Sequence, residues 1–241
     1  MSLGLEWKKI KRTGFLPGFL AGGIVAAAVP VLNMVVRSER YLGLGESPVK
    51  ILLDANWQMM AMLNILVCIC GTCIMYHTEY ADNGFQKMEV LPIRAGKLFL
   101  HKFVIAALSG LAVIVIETVS LSLCILHWFP EYDPTLTELA QNAGFAVILM
   151  LPTLILMLVI ASACKNMWIS LGIGVILVFT LNIFPGDHLV LNLCPFSSPY
   201  QILDTVRENS QLAIFTGTCS IETVFFGLIE LIYLKFRRCF A

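Results

Sequence analysis

Two acidic residues, Glu117 and Glu222, lie within apolar stretches and are the sequence's strongest candidates for chemistry. At ~1.5 Å per helical residue, each lies roughly 20 Å from the basic residue bordering its stretch, in the middle or outer half of a ~30 Å hydrocarbon core. A lone carboxylate there is costly and normally faces a bundle interior or water. One interpretation is that both acids line a cavity for a cationic or amphipathic substrate. The alternative is a neutral glutamic acid hydrogen-bonded between helices. Glu230 lies nearer the end of its stretch and is expected to reach water.

The cysteines and histidines do not form a recognisable metal or catalytic motif. Cysteine inside an apolar stretch serves as a small apolar residue, and five of the eight are placed in this way: Cys68, Cys70, Cys73, Cys124 and Cys219. The four histidines lie near the ends of stretches or in loops. The sequence has no phosphate-binding loop, no His-Glu-x-x-His and no Gly-x-Ser-x-Gly. We expect no catalytic residue, no metal and no bound cofactor.

The composition is that of a membrane protein. Hydrophobic residues make up 58% of the 241 residues, charged residues make up 13%, and the mean hydropathy is +0.83. Soluble domains average about 25% charged residues. The net charge of +0 argues against nucleic-acid binding. We expect residues 1–241 to form a single membrane domain.

Six apolar stretches are close to the ~20 residues that a membrane-spanning helix needs. They are residues 15–36, 55–75, 103–126, 143–164, 168–184 and 212–234. An amphipathic segment at residues 3–12 precedes them and is expected to lie in the headgroup plane. The fold class is therefore all-α integral membrane, with six transmembrane helices and an N-terminal interfacial helix.

The basic residues set the orientation. With both termini in the cytoplasm, only Arg37, Arg40, Lys50 and Arg207 of the sixteen Lys and Arg residues fall outside. This asymmetry fits the positive-inside rule. It places residues 76–102 in the cytoplasm, with an amphipathic helix expected before Pro92. An ordinary basic loop is the alternative.

Small residues recur at four-residue steps in two of the stretches. Gly14, Gly18 and Gly22 mark the first, and Ser170 and Gly174 mark the fifth. Such spacing lets helix backbones approach closely in lipid. It predicts either a subunit interface or packing within one chain. A further outer segment, residues 185–209, is rich in proline and aromatic residues and is expected to be a short structured element.

Taken in order, these features resemble the permease subunits of type-2 ATP-binding-cassette (ABC) exporters. The resemblance covers nearly the whole chain and includes the runs at residues 91–102, 160–166 and 195–200. The small size and compact outer loops are most similar to the lantibiotic-immunity permeases of Gram-positive bacteria. Those proteins pair with a related permease and a separate ATPase.

The resemblance implies a type-2 ABC exporter fold with a cytoplasmic coupling helix at about residues 79–90. Two permease chains would dimerise, commonly through the first and fifth spans, and two ATPase subunits carrying ATP and Mg²⁺ would dock below. Residues implied to couple to the ATPase are Glu79, Phe85, Lys87, Met88, Leu91 and Arg94.

The resemblance also implies a cargo and a location. A peptide antibiotic would leave the membrane of a bacterial cell, which would give self-immunity or resistance. Cavity or portal residues would then be Glu117, Glu222, Phe196 and Tyr200.

Three other functions remain open. The first is a type-2 permease for another drug or for lipids. The second is an ion- or proton-coupled carrier using Glu117 and Glu222, but the inverted repeat common in such carriers is not evident. The third is a membrane-embedded enzyme, which the missing motifs argue against.

Overall fold

The apolar stretches form long helices, since backbone N–H and C=O groups in a hydrocarbon environment must be hydrogen-bonded within the chain. The computed structural model describes residues 3–80, 95–132, 136–164, 166–183 and 189–240, and no strand occurs in these ranges. The helices are α1 (Leu3–Ile10), α2 (Phe15–Arg37), α3 (Pro48–Tyr80), α4 (Ala95–Trp128), α5 (Leu136–Ala163), α6 (Met167–Ile183), α7 (Leu189–Asn192), α8 (Leu203–Glu208) and α9 (Leu212–Phe240). Short 3-10 helices occur at Ser38–Arg40 and Ser198–Tyr200.

Five of the six predicted spans are confirmed as helices long and apolar enough to cross a membrane. These are α2, α3, α4, α5 and α9. The fifth predicted span corresponds to α6, which is strongly apolar but has 17 residues. At ~1.5 Å per residue it is about 25 Å long, slightly short of a ~30 Å hydrocarbon core. A sixth crossing therefore stays a prediction.

Helix α3 is longer at both ends than the predicted span of residues 55–75. It begins at Pro48, where proline suits the first helical position, and the hydroxyl oxygen of Ser47 accepts a hydrogen bond from the backbone N–H of Lys50 at 3.3 Å. The interval between the first two predicted spans, residues 37–54, is therefore helical from Pro48 onward. At the other end α3 continues to Tyr80, because its polar residues there find partners on neighbouring helices.

Helix α3 is the centre of the bundle and packs against α2, α4, α5 and α6. It is also the most buried of the five candidate spans, with 61% of its apolar window buried, whereas α9 has 11%. Helix α9 packs mainly on α5 and lies at the edge of the bundle. We call the end formed by α1, the last turn of α3 and the first turns of α4 the lower end, and the opposite end the upper end.

Residues 189–211, which lead into α9, are inserted into the upper end of the bundle. The indole N–H of Trp57 donates to the carbonyl of Pro199 at 3.0 Å, and the Ser198 hydroxyl donates to the carbonyl of Leu149 at 3.3 Å. The hydroxyl of Thr153 donates to the carbonyl of Pro195. Of the segment predicted to be structured, residues 185–209, the part from residue 189 onward is structured, and residues 185–188 lie outside the described ranges. These contacts fix the structured part to α3 and α5 rather than leaving it on the surface.

Candidate functional site

A cavity lies at the upper end of the bundle, between α3, α4, α5 and residues 201–203. Its lining is mainly apolar and includes Leu53, Trp57, Ile114, Glu117, Asn142 and Ile202. The volume is about 30 Å³, which accommodates roughly one or two water-sized groups. In this conformation the cavity is therefore large enough for a single functional group and too small for a whole peptide.

Glu117 supplies the carboxylate of this cavity. Its side chain is 1% exposed, and its Oε2 accepts a hydrogen bond from the side-chain amide of Asn64 on α3 at 3.0 Å. The other carboxylate oxygen, Oε1, has no hydrogen-bond partner among the described residues, and neither has the amide oxygen of Asn64. The amide thus holds one oxygen in place and leaves two acceptors unpaired. The structure confirms the predicted inward orientation of Glu117.

Residues 201–203 and the start of α8 form the upper wall of the cavity. Two exposed contacts fasten α8 to the rest of the bundle. Lys50 pairs with Glu208 at 2.9 Å, and Arg207 donates to the side-chain oxygen of Gln141 at 2.8 Å. Exposed polar contacts of this kind contribute about 0–1 kcal/mol each. The main attachment of the upper wall is apolar, because Leu203 and Val206 are buried in a cluster with residues of α5 and α9.

The other predicted cavity residues lie elsewhere. Glu222 is half-buried on α9 and is not among the residues that line the cavity. Phe196 is 2% exposed and packs in an apolar cluster with residues of α3, α5 and α6. Tyr200 is half-buried against the apolar core. The structure therefore does not bring Glu117 and Glu222 into one cavity.

Glu230 differs from its expected exposure. Its side chain is 0% exposed rather than in contact with water. The hydroxyl of Ser162 on α5 donates a hydrogen bond to it, and the Tyr80 hydroxyl of α3 donates to the backbone carbonyl of the same serine. Because α9 lies against α5 at this depth, Glu230 connects three helices near the lower end.

A second polar site, which we call the lower charge cluster, joins α1, α3 and α4. Its members are Glu6, Lys9, Glu79 and Lys102. Glu79 accepts from Lys102 at 2.7 Å and from Lys9 at 3.0 Å. Glu6 lies 3.8 Å from both lysines. Two acids and two bases thus balance in a site where three of the four side chains are almost fully buried.

Lys102 is the most enclosed cation of the lower charge cluster, with 2% exposure. Its ammonium group also lies 3.4 Å from the carbonyl of Met75 and 4.9 Å from the centre of the Tyr76 ring. A carbonyl and an aromatic face both stabilise a cation. Lys102 is therefore a structural link between α3 and α4 rather than a surface residue of a basic loop.

Of the residues predicted to couple to an ATPase, Glu79 is the one that the structure describes. It lies inside α3 and is 3% exposed, so it is an internal anchor rather than part of a docking surface. The other five lie in residues 81–94, outside the described ranges: Phe85, Lys87, Met88, Leu91 and Arg94. The lower charge cluster fixes the two helix ends that flank this stretch.

The small residues of α2 have three different surroundings. A Cβ atom added at Gly22 would lie 2.2 Å from Val67, so this glycine lets α2 pack on α3 within the chain. A Cβ at Gly18 would meet nothing within 4 Å, and Gly18 borders an open groove between the two helices. Gly14 has a φ of +76°, a backbone conformation that favours glycine.

The small residues of α6 pack against the same chain. Ser170 is buried, and its hydroxyl lies 3.2 Å from the thiol of Cys73. A Cβ at Gly174 would lie 2.8 Å from Ile69 and 3.0 Å from Met157. Ser170 and Gly174 therefore serve the contacts of α6 with α3 and α5. Within α2, Gly18 differs from Gly22 because no atom of the chain lies close to its Cβ position.

Sequence reasoning missed several residues of both sites. Asn64 could have been found, since an amide inside an apolar stretch needs a partner, but its partner depends on helix rotation. Trp57 was hidden among other apolar residues. Glu6 carried a usable signal, because it shares a helix face with Ile10 at a spacing of four residues.

A comparison with protein families finds one that is described as ABC-2 family transporter protein, whose model matches residues 2–181. The match covers about three quarters of the 241 residues. It includes the lower charge cluster, Glu117 and Asn64. Comparisons with the curated proteins and with the solved structures find no match.

Proposed function

Since the chain belongs to the ABC-2 family of transporter proteins and is thus a multi-pass membrane permease that works with a partner ATPase, we propose that it exports a cationic, amphipathic peptide antibiotic. The cargo class is that of the lantibiotics. The permease would remove the peptide from a bacterial cell membrane, with both termini and the lower end in the cytoplasm.

The observation that carries the ATPase-driven part of this proposal is the lower charge cluster. ATP-driven movement of a partner can tilt membrane helices only if the contacted segment is rigidly attached to them. Glu79 at the end of α3 and Lys102 near the start of α4 are joined directly at 2.7 Å, and Lys9 attaches α1 to the same carboxylate. A force applied between residues 80 and 95 would therefore act on three helices together.

The second link at the lower end distributes that force further. Tyr80, Ser162 and Glu230 connect α3, α5 and α9 through hydroxyl groups. Closure of an ATPase pair beneath the bundle would then move its long helices as a unit. This arrangement suits a permease driven from outside its own chain.

A second permease chain is part of the proposal. Helices α2 and α6 both pack on α3. Leu66 of α3 borders the groove beside Gly18 and also packs against the apolar cluster that includes α6 residues. Both helices also expose apolar residues, such as Ile24 of α2 and Ile176 of α6, and they offer apolar faces on which an identical or related permease would pack.

The upper cavity supports the cargo class. A mainly apolar cavity with one buried carboxylate complements a molecule that has both apolar and positively charged groups. Residues 201–203 close the cavity at its upper side, so they would have to separate from the bundle when the cargo passes. A cargo of this kind would enter from the membrane and leave at the upper, outer end.

We predict that Phe85→Asp abolishes peptide-stimulated ATP hydrolysis and export, because a charge would replace an apolar contact with the ATPase. The measurement uses the permease co-purified with its ATPase and reconstituted in liposomes. Leu136→Asp is the matched control, since Leu136 is 82% exposed at the upper end. Normal ATPase stimulation by Phe85→Asp, with normal membrane insertion, would contradict the coupling assignment.

The cargo has its own test. Producer cells that lack this permease should become sensitive to the peptide, and the intact permease should restore survival. Unchanged survival without the permease, in cells that otherwise make the peptide, would refute the peptide cargo. A lipid or an unrelated drug that alone stimulates the co-purified ATPase would replace it.

A further inference from the structure

We propose that the upper cavity binds a primary alkylammonium group, with Glu117 as its counter-ion. This inference deepens the proposed function and rests on it for the identification of the ligand as part of the cargo. The chemical class is a lysine-type side chain or another unbranched amine. The ethanolamine headgroup of a lipid carries the same group and is the second possible source.

The hydrogen-bonding geometry favours an ammonium ion. Glu117 is more than nine-tenths buried, and Asn64 donates to its Oε2. This bond leaves Glu117 Oε1 and the amide oxygen of Asn64 as acceptors without a partner among the described residues. A primary ammonium group has three donors and no acceptor. From within the cavity it can therefore donate to the carboxylate of Glu117, which is a lining residue, and still hydrogen-bond to two other groups. Asn64 is not among the lining residues, so its amide positions the carboxylate and does not contact the ligand.

The charges around the cavity favour a cation from outside the chain. The lining residues include no Lys, Arg or His. At the lower end, by contrast, the buried carboxylate of Glu79 has two lysines within 3.0 Å. An ionised carboxylate buried without a counter-ion is very costly. Glu117 thus lacks within the described chain what Glu79 has, and a bound ammonium would provide it.

The size of the cavity and the residues of its walls further restrict the class of ligand. A volume of about 30 Å³ suits a small group such as –NH₃⁺. A trimethylammonium group has no N–H and could not hydrogen-bond to the unpaired carboxylate oxygen of Glu117. The adjoining walls are apolar and include Leu53, Leu121 and the indole of Trp57. A straight alkyl stem can pack along them, as the stem of a lysine does when its charged end lies elsewhere.

The test is direct binding to the permease alone, in nanodiscs of phosphatidylcholine. The probes are n-hexylammonium, n-hexyltrimethylammonium and n-hexanol, which share a chain and differ in the head. Trp57 lines the cavity, so its fluorescence reports occupancy, and Trp57→Phe gives the background. We expect saturable binding of n-hexylammonium that is at least about tenfold tighter than that of the other two probes.

Variants of the permease distinguish probe binding at the Glu117 carboxylate from general partitioning of the probe into the membrane. Glu117→Gln should weaken n-hexylammonium binding by at least about tenfold, whereas Glu222→Gln, an acid of the same chain outside the cavity, should not change it. If Glu117→Gln does not fold, Ala143→Leu fills the cavity wall and should abolish the signal while keeping the acid. Replacing part of the lipid by phosphatidylethanolamine should leave the affinity unchanged if the site takes cargo.

Each remaining outcome has a defined meaning. Equal binding of n-hexanol and n-hexylammonium, or full binding by Glu117→Gln, would overturn the proposal in favour of a neutral Glu117. Competition by phosphatidylethanolamine would keep the ammonium site but assign it to lipid. The binding experiment contains no ATPase, so a negative result in it does not bear on the coupling experiment with Phe85→Asp. A negative result in the coupling experiment likewise does not change the interpretation of probe binding.

Discussion

At the scale of single residues, the chain uses buried glutamates in two ways. The carboxylate of Glu79 is paired with two lysines, so its role is structural and it holds α1 and α4 to α3. Glu117 is equally buried and has an amide partner but no ion pair among the described residues. A buried charge that is fully compensated stabilises a particular arrangement of helices. A buried acid that lacks compensation is where a ligand can contribute.

We predict that Glu79→Gln lowers the free energy of unfolding by about 3–5 kcal/mol. The substitution leaves Lys102, which is 2% exposed, with Glu6 at 3.8 Å as its remaining acid. Thermal unfolding of the purified permease measures the effect. Glu208→Gln is the matched control, and as one half of an exposed pair it should change stability by about 1 kcal/mol or less.

The double variant Glu79→Gln with Lys102→Met extends this experiment. It removes the unpaired cation along with its acid, so most of the lost stability should return. A Glu79→Gln protein as stable as the wild type would mean that the lower charge cluster does not hold the three helices together.

The inward orientation of Glu117 could be predicted from the sequence, because a carboxylate at that depth in an apolar stretch normally faces the bundle interior, and the side chain is 1% exposed. Its contact with a substrate stays a prediction. The sequence did not predict the burial of Lys102, which looked like an ordinary basic residue near a membrane surface. Partners from α1 and α3 decide that burial. Such contacts depend on how separate helices rotate and cross, which apolar periodicity does not determine.

At the scale of elements, α3 organises the bundle through close helix contacts. A Cβ added at Gly71 would lie 2.4 Å from the ring of Phe19 and 2.8 Å from that of Phe15. The absence of a side chain at Gly71 thus allows the two α2 rings to lie directly on α3. Helix existence was readable from the sequence, but this contact was not, since Gly71 belongs to no regular small-residue stripe.

We predict that Gly71→Ala destabilises the permease by about 1–3 kcal/mol, because two buried rings must move to admit one methyl group. Gly217→Ala on α9 is the matched control, since a Cβ there meets nothing within 4 Å. Thermal unfolding in the same detergent compares the two. Equal stability of both variants would show that α2 can shift on α3 without loss.

At the scale of the whole molecule, the central helix is enclosed and the outer helices expose apolar residues. Helix α3 is enclosed, while α2 exposes residues such as Ile24, Leu32 and Val36, and α6 exposes Ile176 and Phe179. Apolar residues facing outward on both helices suit lipid and also a second permease chain. The spacing of the small residues could not distinguish a contact with a second chain from a contact within one chain, because the same spacing serves both.

The different surroundings of Gly18 and Gly22 allow that distinction to be made by experiment. We predict that Gly18→Leu weakens association of two permease chains and leaves the thermal stability of the single chain unchanged, because the added side chain enters open space. Gly22→Leu should instead lower single-chain stability, since its Cβ would overlap Val67 at 2.2 Å. Counting subunits per nanodisc measures the first effect, and thermal unfolding measures the second.

Gly217→Leu on α9 controls for a leucine added to any open, lipid-facing position. If it reduces association as much as Gly18→Leu does, the effect is not specific to α2. If neither variant changes the number of subunits, the groove beside Gly18 faces lipid, and the second chain must pack on a different part of the exposed surface. Loss of association in Gly18→Leu alone would place the partner at the groove between α2 and α3 beside Gly18. A movement of the lower charge cluster would then reach both permeases across one shared face.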